Sequence, residues 1–507
     1  MASSRSGKAL KNAIVSIIYE IVMVICGLIL PRLILVNFGS EYNGITTSIT
    51  QFISCIVLMK AGIGGATKAA LYKPLAENNN EEINMIISQT QSFMRRIALI
   101  FVVFVLIFAV IYPVFICTDF DWWFSFSLIL IIAFSTFIQY YFGITYELLL
   151  AADMKQYIKS AADIAMVILN TIISVLLINM NCTIHMVKLG SSLVHIIGPI
   201  FICIYSRKKY NIKNNIRTKV NMLPQKWEAV AHEAANFVNT NTAVVIITLF
   251  STMANVSIYT VYNMIIINIR SVLLTFTTSF GAAFGNMYAK KEFETMNRNL
   301  NIFELVIFSL VAIIYSATLL LLVPFALLYT KGVTDAEYGQ PLFSALITIA
   351  GALSCIRIPY QTIITSAGEY KGIRNGAIIE AVLNITISVI MVINFGLIGV
   401  ACGSLAAAVF RSIQFIVYLK KHILFRSYTN FIKHMFVLAG VFTATCIIYR
   451  IISFSIDSWT EWILSGILIV IISSVLTLIT DLIFFLPETR LLFNKLVNVI
   501  RKKTNRV

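Results

Sequence analysis

Charge is scarce in this 507-residue chain. Only 12% of it is Asp, Glu, Lys or Arg, about half of what an ordinary globular domain carries. Acids are rarer than bases, 23 against 39, and there are five histidines. No His/Cys/carboxylate cluster has metal-ligand spacing, no GxSxG elbow appears and no phosphate-cradling glycine loop is present, so a zinc enzyme, a serine hydrolase and an ATPase are all unsupported. The eight cysteines (Cys26, Cys55, Cys117, Cys182, Cys203, Cys355, Cys402, Cys446) are scattered without a CxxC pair. They read as small packing residues, with neither disulfides nor metal ligation expected. Long polar stretches are missing too. No segment reads as a separate soluble domain, and the loops on one side are too short to hold an enzyme's catalytic groups.

What is present is apolar. Hydrophobic residues make up 59% of the chain, and its mean hydropathy is +0.86. Runs of about 20 apolar residues, enough to cross a bilayer, recur from end to end. They predict an all-α integral membrane protein of about fourteen transmembrane helices. The second is expected over 43–69, the seventh over 229–254, and the last two over 434–455 and 461–486. The first run is longer than a signal-peptide core and lacks a small-residue cleavage site, so it is expected to stay attached.

The bases are not spread evenly. Most fall at the two termini or in loops on that same side, as in Arg207, Lys208, Lys209, Lys213, Arg217, Lys219 and Lys226. The opposite loops carry Glu41, Asp119, Asp121, Asp335, Glu337 and Asp457. The positive-inside rule then predicts both termini in the cytoplasm. The net charge of +16 is a topology signal and an attraction to anionic lipid, with no groove-like patch for nucleic acid.

The chain also repeats itself. Leu169-Asn170-Thr171-Ile172-Ile173-Ser174-Val175 and Leu383-Asn384-Ile385-Thr386-Ile387-Ser388-Val389 agree at five of seven positions, 214 residues apart. At the same offset Tyr146 meets Tyr360. With one residue of slippage Val187, Gly190, Ser191, Ile200 and Tyr205 meet Val400, Gly403, Ser404, Ile413 and Tyr418. A duplication in the same direction predicts two parallel six-helix halves, a layout used by transporters. The expected organisation is an N-lobe over 1–206, a basic cytoplasmic linker over 207–228, a C-lobe over 229–420, and helices thirteen and fourteen with a basic tail over 421–507.

Charges inside spans are expensive and mark candidate sites. Arg270, Arg357 and Arg411 lie in predicted spans eight, ten and twelve, and Arg32 and Lys60 lie in spans one and two. A guanidinium suits a phosphate, because its planar fork donates two parallel hydrogen bonds. These five are the candidate cationic binding residues. Asn263 and Thr277 share a helical face with Arg270, and Gln361 shares one with Arg357. His232 and Asn236 open span seven, so all five are candidate cavity lining. Glu20, Asp163 and Glu380 are candidates for gating or for holding a coupling proton or sodium ion. Asp163 and Glu380 fall near cytoplasmic span ends, which favours interfacial placement. Each acid and base could equally be half of a structural ion pair. By the repeat alignment Glu380 faces Met166 and Arg411 faces Gly198, so the halves share a scaffold and differ in charge.

Three motifs carry a resemblance: Pro31-Arg32-Leu33 running to Phe38-Gly39-Ser40-Glu41-Tyr42-Asn43-Gly44, Ala61-Gly62-Ile63-Gly64-Gly65-Ala66-Thr67, and Phe395-Gly396-Leu397-Ile398-Gly399-Val400-Ala401. With twelve duplicated spans and two more, the chain resembles the O-antigen and capsule flippases of the multidrug/oligosaccharidyl-lipid/polysaccharide (MOP) superfamily. That resemblance implies a V-shaped bundle of two lobes like that of the MATE exporters, in the bacterial inner membrane. It implies alternating access, with a polyprenyl-diphosphate oligosaccharide as cargo and a sugar polymerase and chain-length machinery as partners. The rival expectations are a cation-coupled MATE-type drug exporter, a flippase for the peptidoglycan precursor, and a membrane polymerase or acyltransferase of the same pathway.

Overall fold

The computed structural model describes residues 5–54, 57–116, 120–212, 241–452 and 455–494. Every regular element among them is helical. In chain order the elements are α1 (Arg5–Phe38), α2 (Ser40–Ser54), α3 (Val57–Glu77), α4 (Asn80–Phe115), α5 (Trp122–Ile138), a π turn (Gln139–Gly143), α6 (Ile144–Ala152), α7 (Gln156–Asn179) and α8 (Ile184–Lys209). They continue with α9 (Asn241–Phe250), α10 (Met253–Ala289), α11 (Phe293–Tyr329), α12 (Pro341–Ile356), α13 (Ile358–Ser366), α14 (Tyr370–Phe395), α15 (Leu397–Leu419), a second π turn (Lys420–Leu424), α16 (Thr429–Ile452) and α17 (Trp459–Phe484). Helices satisfy their own backbone, which is what a bilayer demands of a spanning segment.

Twelve of the described helical segments are long and apolar enough to cross a membrane, making this a multi-pass membrane protein. The second and seventh expected spans are the two not in that set. The second consists of α2 and α3. The seventh falls largely outside the described residues, with α9 as its described part. Pro31, Pro113, Pro199 and Pro324 all lie within continuous helices. Only Pro359 coincides with a break: Arg357 ends α12 and starts α13 at φ −74° and ψ −12°. A proline there has no N–H to give the preceding turn and crowds it sterically.

The chain divides into two compact units, Met1–Ser257 and Ile258–Val507. The boundary falls in the second turn of α10, later than the expected linker, most of which lies outside the described residues. The reason is a polar seam that binds α9 and the start of α10 into the first unit. Thr248 donates to Ser48 at 3.0 Å, Asn43 donates to Ser257 at 2.7 Å, and Gln51 donates to Asn241. Tyr112, fully buried, also donates to Ser48 at 2.9 Å. Outside the spans of this unit, Tyr210 donates to Asp153 at 2.6 Å, and Lys155 lies 2.5 Å from the same carboxylate. Burial, then the Asp153 hydrogen bond and charge, hold the Tyr210 phenol well above its usual range.

In the second unit α16 and α17 pack on α11. His434 stacks between Phe308 and Phe485, with ring centroids at 4.8 and 3.9 Å. Ser309 donates to Asp481 at 2.7 Å, and the Trp462 indole donates to the Leu321 carbonyl at 3.1 Å. The helices beyond the repeat are thus bonded to it by side chains at several depths.

The repeat is visible residue by residue. Asn170 and Asn384 are equally buried, and Ser174 and Ser388 are both fully enclosed. Gly190 and Gly403 each let the next helix press close. A Cβ on Gly190 would stand 2.8 Å from a Leu177 methyl, and one on Gly403 would stand 2.8 Å from the Asn384 carbonyl oxygen.

Candidate membrane-embedded charge cluster

The second unit brings together three of the charges singled out in the sequence. Arg357 stands at the α12–α13 break, Glu380 on α14 and Arg411 on α15. The Arg357 Nη1 donates to Glu380 Oε1 at 2.7 Å, and Arg411 Nε lies 3.2 Å from Glu380 Oε2. All three are buried. Arg411 is held further by the Ile373 carbonyl at 3.0 Å, by the Gln414 side chain, and by the Phe415 ring 4.3 Å below its guanidinium carbon.

Glu380, expected near a membrane interface, is buried in the protein and paired on both sides. Its two oxygens are each engaged by a guanidinium, which suits a counterion and leaves a poor seat for a sodium ion. One carboxylate between two guanidiniums leaves an excess positive charge.

Arg270, on α10, adds to that excess. It lies within electrostatic reach of Arg357 and Glu380. Its Nε is buried with no hydrogen-bond partner among the described residues, and so is the Nε of Arg357. Buried donors left open are unusual in native proteins, and these two remain available to water or an anion. Three arginines against one glutamate make this a cationic site inside spanning helices.

Beside it lies a cavity of about 310 Å³. Thr277 and Gln361 face it, together with Thr362, Thr365 and Ser366. Thr277 follows Arg270 by two turns of α10, about 10 Å along the axis. The wall residue Ile358 directly follows Arg357. Asn263, two turns to the other side of Arg270, is half-buried and does not line this cavity.

The remaining expected residues are spread over the first unit. Asp163 bonds the Lys159 side chain one turn earlier and faces a cavity of about 280 Å³ that also holds Tyr19, Glu147 and His195. It has an ion-pair partner and is half-buried, so it is not a bare interfacial acid. Glu20 is exposed on α1, and Arg32 is half-buried. The Lys60 side chain lies outside the described residues, as do His232 and Asn236.

Two features were not singled out in the sequence. Glu304, with no exposure at all, is gripped by both arms of Arg426 at 2.8 and 3.1 Å. Lys188 and His195 share a cavity in the first unit. The rule applied to the arginines, that a charge within a span is suspect, would have found Glu304 and Lys188.

No protein-family model and no curated protein sequence matches this chain. Solved structures do match. Lipid II flippase MurJ in an inward closed conformation superposes with a TM-score of 0.68 at 16% identity, covering 94% of this chain and 98% of that one. An inward-facing multidrug resistance MATE family transporter of the MOP superfamily gives 0.57 at 13% identity, covering 82% and 99%. A variant of the Vibrio cholerae MATE transporter VcmN gives 0.55 at 14%, covering 83% and 98%. At these identities the likeness establishes the fold. The chain thus has a fold like that of MurJ and the MATE transporters, as the resemblance of its motifs led one to expect.

Proposed function

We propose that this protein is a flippase that turns glycans linked to polyprenyl diphosphate from the inner to the outer leaflet by alternating access, for a surface polysaccharide. The observation that carries this reading is the cationic cluster in which Arg357 and Arg411 share the single carboxylate of Glu380 and Arg270 stands within electrostatic reach. The diphosphate is the part of such a cargo that lipid repels most. An anion leaving water loses its hydration, and only fixed opposite charge and hydrogen bonds offset that loss. Arginines with open N–H groups supply both. Both termini lie in the cytoplasm in this reading, a proton or sodium gradient drives the cycle, and a polymerase takes the flipped unit.

The likeness to lipid II flippase MurJ supports a second reading, in which the cargo is the peptidoglycan precursor. The same cluster would serve, because the cationic site answers to phosphate and not to sugar. A MATE-type exporter of organic cations is disfavoured by the sign of the cluster.

The test is translocation of a fluorescent polyprenyl-diphosphate oligosaccharide in proteoliposomes, with wild type beside Arg270→Ala. Flipping by wild type that fails in the variant, at equal protein level, supports the reading. Binding of organic cations without flipping of any lipid-linked glycan overturns it.

A further inference from the structure

A second cavity, of about 340 Å³, lies wholly within the first unit, walled by α2, α5, the π turn and α8. Its chemistry is unlike that of the arginine cluster. Six serine and threonine hydroxyls line it, with the phenol of Tyr140, the amide of Gln139, the imidazole of His195 and one charged group, the ammonium of Lys188. Lys188 sits one turn into α8, and burial alone, with no paired charge among the described residues, acts on its ammonium.

Four of the hydroxyls have a direction. Thr50 donates to the Thr46 carbonyl at 2.7 Å, Ser54 to Gln51 at 2.6 Å, Ser135 to Ile132 at 3.3 Å and Ser192 to Ile131 at 2.7 Å. Their hydrogens are committed to main-chain oxygens, so toward the cavity they offer lone pairs. A ligand rich in hydroxyl donors matches that wall. A metal cation also likes oxygen, but Lys188 repels it, and the two acids of the adjoining cavity, Asp163 and Glu147, already face Lys159, which pairs with the first and lies within electrostatic reach of the second. A purely apolar ligand would leave the ammonium and the amide desolvated and unbonded. What remains is a polyhydroxylated ligand with a negative charge.

We propose that this cavity is a subsite for an acidic sugar residue of the cargo glycan. Lys188 takes the charged group, the wall oxygens and Gln139 take the ring hydroxyls, and His195 stands where the cavity meets the adjoining one. The proposal rests on the reading of the chain as a glycan carrier. It adds that the glycan is anionic in its sugars as well as in its diphosphate. Carboxylate and phosphate substituents share this chemistry, and the experiment separates them.

The full-length protein in nanodiscs is titrated with three free ligands: a glucuronate-bearing disaccharide, a phosphorylated disaccharide of the same size, and the neutral disaccharide. One or both acidic ligands should bind about tenfold more tightly than the neutral one, the scale of one hydrogen bond to a charged group. Whichever acid wins names the substituent. Lys188→Gln should abolish the preference without changing neutral-sugar binding, and Lys188→Arg should keep it, which also shows that the site tolerates substitution. Equal binding of acidic and neutral sugars by wild type, or a preference that survives Lys188→Gln, overturns the proposal and leaves Lys188 reaching for the headgroups. No lipid carrier is involved, so the outcome is independent of flipping. A chain that flips lipid-linked glycans yet binds both sugars alike keeps the flippase reading and loses this one.

Discussion

Glu380 and Arg411, 3.2 Å apart in the second half of the molecule, occupy the repeat positions that Met166 and Gly198 occupy in the first. There the same contact is apolar: a Cβ on Gly198 would lie 3.3 Å from the Met166 side chain. Counting back by the 214-residue offset, Arg357 falls on Gly143, the last residue of the first π turn. The second half breaks its helix at the corresponding place, between α12 and α13. One scaffold thus holds a methionine among glycines in one copy and a charged triad in the other. The triad is an addition to the fold, and the fold shows what it looks like without it.

That contrast gives a stability prediction. Glu380→Met alone leaves two buried guanidiniums facing each other and should destabilise the protein by about 3–5 kcal/mol. The triple replacement Arg357→Gly, Glu380→Met and Arg411→Gly copies the first half and should recover most of that loss, while flipping stays abolished. Thermal unfolding in detergent beside a flipping assay checks both parts. A triple variant no more stable than the single one would show that the triad holds the helices together.

Arg270 should tolerate a conservative change poorly. Arg270→Lys keeps the charge and loses the planar fork, so binding of a diphosphate should weaken by about tenfold. Stability should change little, since no partner among the described residues bonds its Nε. Pyrophosphate titration against the purified protein is the measurement, and unchanged affinity would place the phosphate elsewhere.

The Glu304–Arg426 pair should behave as a structural clasp. It ties α11 to the segment after the second π turn through two parallel bonds in a site without solvent. Arg426→Ala strands the carboxylate and should cost about 3 kcal/mol or more. Removing both partners as Glu304→Leu with Arg426→Met should cost less. Unfolding midpoints of the three proteins decide this, and a double variant as weak as the single one would refute it.

Gly403→Ala should strain the α14–α15 packing by about 1–3 kcal/mol, because the new methyl meets the Ser388 hydroxyl and, behind it, the Asn384 carbonyl and the Ser388 main-chain nitrogen, which cannot swing aside. Gly190→Ala meets the ends of Leu177 and Ile173, which can shift, so its penalty should be smaller. Equal penalties would mean that the two halves pack alike despite these neighbours.

The fold was readable because membrane helices are local objects. Each closes its own hydrogen bonds and needs only an apolar run of the right length, so composition located the spans and the repeat paired them. The candidate site was legible in part. Arg270, Arg357 and Arg411 stood out because a charge in a span is costly wherever it points. That Glu380 is the counterion of Arg357 and Arg411 was not legible, because its position near a span end says nothing about which helices cross there. Lys188 and Glu304 obey the same rule as the arginines and could have been found by it.

The sequence by itself determined an all-helical, internally duplicated membrane protein with an excess of base inside its second half, since hydropathy and covalent order require no packing to be read. Only the tertiary structure decided which charges meet, that α9 belongs with the first unit, and that one glutamate serves two arginines. Those outcomes depend on distances of a few ångströms between helices far apart in the chain, and Coulomb and hydrogen-bond energies change steeply over that range.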